Sequence, residues 1–385
     1  MPSQTSTLRT HVPLVLAQLF MATTAMGLTA PVTARSAPVA VTALPGTAIA
    51  PYVTRFGRTK PVIAVIGENS GTELSDFVIP YGVLTQSGAA DVVAVATRDG
   101  PMQMTPAARI QPQATIADFD ARFPNGADYV IVPAMTKSQD PVLLAWLAAQ
   151  AARGATIVSI CDGAVVVANA GLMKDRTATA HWASQGYRKS HHPEVHWVKN
   201  VRYVADGKIV SSAGISAAMP TALALVEAIA GHDAAVAEAK TLSVGDWSRS
   251  HNSEVFEPHF GVNLLPLIAV NFTNARFHKP QTIGVPIHAG SDEIALAFTA
   301  DAWSRTGLSH PVTVSASMQP VVTRGGLTIL PDRTTGESVD YALPSLDGVA
   351  DGRAIDVALA GIAGRFGRGT AYGTALDLEY PDFHK

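Results

Sequence analysis

The segment ATIVSICDGAVVVANAGL, residues 155–172, decides the fold because it joins a buried strand to a helix through one tight turn. Residues 155–160 are apolar or β-branched except for Ser159, and residues 163–170 are small or aliphatic and predict a helix that ends at Gly171. Cys161, the only cysteine of the chain, occupies the turn. We expect the helix N-terminus behind it to favour a reactive thiolate. The alternative is an inert core residue, since free cysteine is usually buried.

Strands and helices alternate from residue 60 onward, which predicts an α/β fold with a doubly wound, mainly parallel sheet. The predicted elements are strands at residues 62–66, 92–96 and 129–132, and helices at residues 74–87 and between Asp140 and Gly154. In such sheets the ligand pocket lies beyond the carboxyl ends of the strands. Four residues follow predicted strands and are expected along one rim of the sheet: Asp76, Ala134, Met135 and Cys161.

Six motifs along residues 60–244 resemble the ThiJ/PfpI superfamily, also called DJ-1/PfpI, whose fold is flavodoxin-like and class I glutamine amidotransferase-like. The motifs are the strand PVIAVIG, the acid before VIPYGVL, the strand end VIVPA, the elbow SICDGA, the segment TATAHW and the late run SSAGISAAMPTALALVEAIAG. The family carries an acid, an elbow cysteine and often a histidine in one pocket, which the resemblance places at Asp76, Cys161 and His181. The CDGA and TAHW strings are most similar to the branch containing isonitrile hydratases and the sensor domains of AraC-type regulators.

Chemistry in such a pocket needs a proton donor and hydrogen-bond donors for a developing negative charge. Asp76, if protonated in an apolar pocket, can donate a proton or pass one to sulfur. The candidate oxyanion donors are the backbone N–H groups of Asp162, Ala134 and Met135. The family commonly has a Gly-Gly pair where this chain has Ala134 and Met135. The alternative for Asp76 is a carboxylate that only stabilises a helix N-terminus.

His181 is expected to orient substrate or to form a hydrogen bond within the core, and it ranks below Cys161 and Asp76 as a catalytic residue. Glu68 and Glu73 are alternative acids on the same connection as Asp76. We expect Glu73 to be solvated, because its position at the helix start lies opposite the apolar side chains.

Three histidines and a glutamate, His191, His192, His196 and Glu194, raise the question of a metal site. Their spacing fits no catalytic zinc template, so we expect them on a solvated surface. The sequence gives no indication of a metal or of another cofactor.

The composition predicts a globular protein without an electrostatic surface for nucleic acid. The chain of 385 residues has a formal net charge of −3, with 15% charged and 47% hydrophobic residues. A single cysteine also excludes an intramolecular disulfide. The expected partner is a small-molecule substrate or ligand, and a homodimer is one possible assembly.

Residues 1–34 are interpreted as a signal peptide or a membrane anchor. An uncharged stretch of small and aliphatic residues at 12–30 precedes a small-residue cleavage site at 32–34. Residues 35–60, rich in Ala, Pro, Thr and Val, are predicted to be a linker. We therefore expect an exported protein, either periplasmic or membrane-anchored and facing outward. The alternative is an apolar tail without a targeting role.

A weak internal repeat aligns residues 283–307 with residues 63–87 at an offset of 220. At that offset Asp76 meets Leu296, and no cysteine follows in the second half, so the second copy cannot repeat the chemistry.

Two units follow from this alignment. We interpret residues 61–244, the first unit, as a ThiJ/PfpI-like domain. Residues 255–385, the second unit, are interpreted as a degenerate partial copy that packs on the first, and an independent small fold is the alternative.

Three classes of function compete. The first is a cysteine-dependent hydratase or hydrolase of a compact neutral molecule, and the second is a non-catalytic small-molecule or redox sensor, as in AraC-type regulators. The third is a stress-protective module whose cysteine only reports oxidation. Peptidase activity in the superfamily depends on a histidine directly after the cysteine, and here Asp162 occupies that position.

Overall fold

The computed structural model describes residues 48–384. Its helices are α1 (Leu74–Gln86), α2 (Ile116–Arg122), α3 (Pro141–Ala152), α4 (Gly163–Asn169), α5 (Gln185–His191), α6 (Ala218–Ala230), α7 (His232–Leu242), α8 (Leu264–Ile268), α9 (Asn274–Phe277), α10 (Glu293–Ser304), α11 (Ala354–Phe366) and α12 (Arg368–Asp377). Its strands are β1 (Val62–Gly67), β2 (Thr72–Glu73), β3 (Asp91–Ala96), β4 (Met102–Thr105), β5 (Arg109–Gln111), β6 (Ala114–Thr115), β7 (Tyr129–Val132), β8 (Thr156–Ser159), β9 (Thr177–Ala178), β10 (His196–Trp197), β11 (Tyr203–Asp206), β12 (Ile209–Ser212), β13 (Gln281–Pro286), β14 (Ser309–Ser315), β15 (Val321–Val322), β16 (Thr328–Ile329), β17 (Arg333–Thr334) and β18 (Tyr341–Ala342).

The first unit is built on a seven-stranded sheet with the order β11-β12-β8-β7-β1-β3-β6. Its neighbouring strands are parallel except for the edge pair β11–β12, which is antiparallel. Helices α2, α3 and α4 pack on one face of the sheet, and α1, α6 and α7 pack on the other. The predicted α/β fold with a doubly wound, mainly parallel sheet is confirmed.

Local signals in the sequence account for these elements. All six residues of β1 are buried, as expected for a central strand covered on both faces. Asp140 caps α3, because its Oδ1 accepts hydrogen bonds from the N–H groups of Val142 (3.0 Å) and Leu143 (3.1 Å). Pro141 at the first position of the helix lacks an N–H group that would have no partner there.

The rim predicted from the sequence is formed by three adjacent strands. β1, β7 and β8 lie side by side, and their carboxyl ends point the same way. Asp76 lies in the first turn of α1 after β1, Ala134 follows β7, and Cys161 follows β8. The parallel arrangement therefore brings these three residues to one edge of the sheet.

The second unit contains a four-stranded parallel sheet with the order β17-β14-β13-β18. The succession β1, α1, β3 in the first unit recurs as β13, α10, β14 in the second. The helix pairs α6–α7 and α11–α12 each turn at a glycine with positive φ, Gly231 (91°) and Gly367 (88°). The boundaries of the two units, and the interpretation of the second as a degenerate copy, stay predictions.

Strand pairing and helix packing both join the units. Strand β16 pairs with β5 in antiparallel register, which places Ile329 opposite Ile110. Helix α10 packs along α1, where a Cβ atom on Gly82 would lie 2.6 Å from Ile294 Cγ1. Residues 74–84 of α1 are all buried as a result, so this helix has no solvent-facing side over that length.

The predicted signal or anchor segment, residues 1–34, lies outside the described residues. The described part of the predicted linker contacts the first unit, since Tyr52 N–H donates to Ala228 O at 2.8 Å and Arg58 pairs with Asp128 at 2.6 Å. Among residues 48–384, no helix combines the length and the apolar character that crossing a bilayer requires.

Gly82→Leu should destabilise the protein, because the added side chain would collide with Ile294 at the contact between α1 and α10. Overpacking of this kind costs about 1–3 kcal/mol. The free energy of unfolding in urea should fall by this amount. The matched control is Gly364→Leu in α11, where a Cβ meets no atom within 4 Å. The control should be neutral or slightly stabilising, and equal destabilisation by both variants would contradict the close packing.

Candidate functional site

Cys161 occupies a strained turn between β8 and α4. Its φ is 53°, in the left-handed region that a non-glycine residue rarely adopts. Gly163 makes the turn possible, because a Cβ there would lie 1.9 Å from the carbonyl oxygen of Val132. The Cys161 N–H donates to Ser212 Oγ at 3.2 Å. The geometry is that of an elbow that fixes one side chain at the end of a strand.

The surroundings of Cys161 favour a neutral thiol, so the expected thiolate is wrong. Cys161 exposes 5% of its surface. Burial raises the pKa of the thiol well above its usual range, and the carboxyls of Asp76 and Asp162 raise it further. Helix α4 has only seven residues, and its N-terminal partial charge does not outweigh burial among acidic groups.

Asp76 is fully buried and holds an unused oxygen. Its Oδ2 accepts the N–H of Ala134 at 3.0 Å, while its Oδ1 has no hydrogen-bond partner among residues 48–384. Burial raises the pKa of the Asp76 carboxyl well above its ordinary value; the hydrogen bond from Ala134 opposes this, and Asp301 of the second unit adds to it. Burial therefore favours the protonated form of Asp76, and its role as an acid stays a prediction.

Glu73 is buried, so the expectation that it is solvated is wrong. It caps α1 by accepting the N–H of Asp76 at 2.6 Å, and its Oε1 lies 3.3 Å from the guanidinium of Arg305 in the second unit. Burial raises the pKa of Glu73 well above its ordinary value, and the neighbouring Asp301 and Asp76 raise it further. The sequence of the first unit alone does not reveal that α10 covers this side of the helix.

Glu68, the other alternative acid, is also buried but is already paired. Its carboxylate lies 2.5 Å from Arg98 and 3.8 Å from Lys137. Its Oε2 also accepts the N–H of Ser70 at 2.9 Å. These contacts suit a structural carboxylate better than a proton donor.

The predicted oxyanion donors differ in their availability. Ala134 N–H donates to Asp76, so it does not point freely at a substrate. Met135 forms an antiparallel bridge with Thr72 through the groups on either side of it, so its own N–H makes no hydrogen bond within residues 48–384. Asp162 N–H makes no hydrogen bond within the described chain and follows the cysteine directly. The N–H groups of Asp162 and Met135 are therefore both available, and the side chain of Asp162 accepts from Ser184 Oγ at 2.5 Å.

His181 is engaged on both ring nitrogens, so the structure does not support a direct catalytic role. Its Nδ1 accepts the N–H of Ala183 at 3.2 Å, and its Nε2 therefore carries the hydrogen and donates to the carbonyl of Asp377 at 2.9 Å. The ring exposes little surface and packs beside Trp182. His181 is best described as a residue that anchors the end of α12 beside the site.

Glu379, which the sequence analysis missed, completes the floor of the site from the second unit. Its carboxylate accepts the N–H groups of Trp182 (2.7 Å) and Gly214 (3.0 Å) and lies 3.0 Å from His251 Nε2. Burial alone would raise the pKa of Glu379, but the hydrogen bond from His251 and the proximity of His181 lower it to about 2. Glu379 is therefore an ionised carboxylate near the thiol. Its segment, LDLEYP, carries no recognisable motif.

The histidines considered as metal ligands in the sequence analysis make separate contacts. His191 stacks on Tyr187 with ring centroids 4.0 Å apart, and His192 lies 3.4 Å from Glu194. Within the described part of the chain, no three His, Cys, Asp or Glu side chains are grouped as metal ligands.

Alkylation of Cys161 by iodoacetamide should accelerate only at a pH above that at which a free cysteine ionises. The reason is that burial and the carboxyls of Asp76 and Asp162 raise the pKa of the thiol. The measurement is the rate of mass increase of the intact protein as a function of pH. The same chain unfolded in urea is the control, and a midpoint in the folded protein below that control would restore the thiolate interpretation.

The comparisons with known proteins concern the first unit. Residues 62–228 match the DJ-1/PfpI family. An isonitrile hydratase from Pseudomonas putida is 28% identical over 168 residues, which cover 42% of this chain and 68% of that protein. The HTH-type transcriptional regulator CdhR from Pseudomonas aeruginosa is 30% identical over 105 residues, which cover 27% of this chain and 31% of that protein.

A crystal structure of Drosophila melanogaster DJ-1beta aligns over 49% of this chain and 100% of that chain, with 22% identity and a TM-score of 0.44. The match to the family confirms the resemblance read from the motifs of the first unit. Residues 62–228 of this chain therefore form a DJ-1/PfpI family domain.

Proposed function

We propose that the protein is a cysteine-dependent hydratase or hydrolase of a compact neutral molecule whose reacting carbon is multiply bonded to nitrogen or oxygen. The observation that carries the proposal is the pairing of a buried elbow thiol, Cys161, with Asp76, a buried carboxyl that retains an unused oxygen. The similarity of residues in the first unit to an isonitrile hydratase supports an isonitrile as the substrate to test first.

The charges around the thiol favour a neutral substrate. Asp162 and Glu379 both contribute negative potential at Cys161, and Glu379 is ionised. An anionic substrate would be repelled by these carboxylates in a buried site. A small uncharged molecule would meet no such barrier.

The reaction with an isonitrile can be written with a neutral thiol and a neutral acid. Asp76 donates its Oδ1 proton to the terminal carbon as the sulfur of Cys161 bonds to that carbon, and the thiol proton returns to Asp76. The result is a thioimidate, R–N=CH–S. Water then adds to the same carbon, the C–S bond breaks, and the thiol and a formamide, R–NH–CHO, are released.

The roles of the other groups follow from their contacts. The N–H of Asp162 is available to stabilise negative charge that develops at nitrogen or oxygen. The N–H of Ala134 holds Asp76 in place through Oδ2 and leaves Oδ1 for proton transfer. His181 takes no part in the bond-making steps, because both of its ring nitrogens are occupied.

Turnover should depend on both Cys161 and Asp76. On a panel of isonitriles, amides and α-dicarbonyls, Cys161→Ala should lower kcat/KM by about a thousandfold or more because it removes the nucleophile. Asp76→Asn should lower it by about a hundredfold or more because it removes the proton donor but keeps the shape. Asp233→Asn, an exposed carboxylate in the first turn of α7, is the matched control and should behave as wild type.

Undiminished turnover in Cys161→Ala would refute the mechanism. Saturable binding of a panel member without turnover in the wild type would instead favour the second candidate, a non-catalytic small-molecule sensor. That candidate is favoured by one observation, the 5% exposure of a thiol whose surroundings keep it neutral. The same observation disfavours redox sensing, since oxidants attack exposed thiolates. We propose a small molecule and not nucleic acid as the ligand in either case.

We also propose that the protein acts outside the cytoplasm, either released or held at the membrane by residues 1–34. The support is the uncharged stretch at residues 12–30 followed by small residues. Fusion of residues 1–60 to alkaline phosphatase, which is active only after export, should give an active reporter. An inactive reporter in the soluble cytoplasmic fraction would contradict this location. A fusion that begins at residue 35 is the control.

A further inference from the structure

A cavity of about 200 Å³ lies beside the candidate active site and is separate from it. Its walls come mainly from residues 179–199, with additional atoms from the start of the second unit and the residues just before it. The side chains that matter for the inference are Trp182, Arg188, Lys189, Trp197, Lys199 and Glu257. Cys161 does not line this cavity, so binding in the cavity does not depend on the proposed function.

Arg188 is a buried cation without a counterion. Its side chain exposes little surface, and the residue as a whole exposes 4%. The Nε atom donates to Ser184 Oγ at 2.8 Å, and Nη2 donates to His181 O at 2.9 Å, while Nη1 makes no hydrogen bond to residues 48–384. Both acceptors are neutral, whereas buried charges in proteins are normally paired.

Burial has an electrostatic cost at this position. It lowers the pKa of the Arg188 guanidinium, and the charges of Asp162, reached through Ser184, and of Glu379 only partly offset this. An anion in the cavity would supply the missing partner for Nη1. The two hydrogen bonds already made would hold the guanidinium in position before the anion arrives.

The other cations of the cavity bear on its positive charge. Lys199 is neutralised by Glu257 at 2.5 Å. Lys189 is exposed and forms no ion pair within the described part of the chain. The cavity therefore carries two cations without carboxylate partners, Arg188 and Lys189, which attract negative charge.

Two tryptophan side chains line the cavity. The guanidinium of Arg188 lies 4.6 Å from the centroid of the Trp197 ring, a cation–π contact that fixes both groups. Trp182 contributes the second indole, and its Nε1 donates to Leu376 O at 3.2 Å. Indole faces favour a planar ligand, and the volume suits a molecule with a single ring.

We propose that this cavity binds a small planar organic anion, whose carboxylate or phosphate group pairs with Arg188 and whose ring lies against Trp182. Lys189 at the edge of the cavity adds a second, exposed positive charge. The carboxylate and the phosphate share the chemistry that the guanidinium recognises, and the experiment distinguishes them.

Isothermal titration calorimetry of the full chain with benzoate, phenyl phosphate and benzamide tests the proposal. Benzoate or phenyl phosphate should bind with saturation at one site, and the tighter of the two identifies the anion. Benzamide has the shape of benzoate without the charge and should bind at least about tenfold more weakly. Equal binding of benzamide, or no binding of either anion, would overturn the proposal.

Variants locate the binding. Arg188→Gln should weaken anion binding by about 10- to 100-fold, and Lys189→Gln, at an exposed position where folding is not at risk, by a smaller factor. Arg176→Gln removes an exposed arginine that pairs with Asp206 outside the cavity and should leave binding unchanged. Unchanged affinity in both Arg188→Gln and Lys189→Gln, or equal loss in Arg176→Gln, would show that the anion binds elsewhere.

Discussion

Arg305 lies at the end of α10 and donates to three carboxylates, Asp301 at 2.6 Å, Asp377 at 2.7 Å and Glu73 at 3.3 Å. Two of these acids belong to the second unit, and Glu73 caps the helix of the first unit that carries Asp76. The close approach of α1 and α10 leaves only 21% of the Arg305 side chain and 10% of the Glu73 side chain exposed. Loss of the guanidinium would leave buried carboxylates without a counterion, a change that typically costs about 3–5 kcal/mol. The interface between the units and the acid of the site thus depend on the same cation.

The imbalance of charge in this cluster explains where protons are held. The guanidinium of Arg305 contacts Glu73, Asp301 and Asp377, and the carboxyl of Asp76 interacts electrostatically with the same group of charges. Burial and mutual repulsion raise the pKa values of Glu73 and Asp76, so these two carboxyls keep their protons to a higher pH than free carboxyls do. A protonated Asp76 is useful only beside a group that exchanges protons with it, and the neutral thiol of Cys161 is such a group. The elements that hold the fold together therefore also set the protonation state of the site.

The sequence predicted the parts of the site that depend on local order. The apolar run before Cys161 and the small residues after it encode the strand, the turn and the helix, and the position of Asp76 after β1 places it on the same rim. Expectations that depended on distant contacts were wrong. The thiolate was expected from the helix N-terminus, but burial among carboxyls has the larger effect. Glu73 was expected in solvent, because the helix pattern of α1 does not show that α10 covers it.

No feature of the sequence predicted the contacts between residues more than 190 positions apart. His181 meets the Asp377 carbonyl, and Glu379 accepts the N–H of Trp182, across sequence separations of 196 and 197 residues. Neither acid belongs to a motif, and Glu379 adopts a positive φ of 54° that its sequence neighbours do not predict. Tertiary packing, and not local propensity, places these side chains.

The second unit therefore supplies charged side chains to the site, but it has no counterpart of Asp76 or Cys161. The repeat aligns Leu296 with Asp76, so the second unit has no acid at that position, yet α10 and the segment after α12 bring Arg305 and Glu379 to the first unit. Residues 62–228, the part that matches the family, contain neither of these two groups. The electrostatic environment of Cys161 is for this reason a property of both units together.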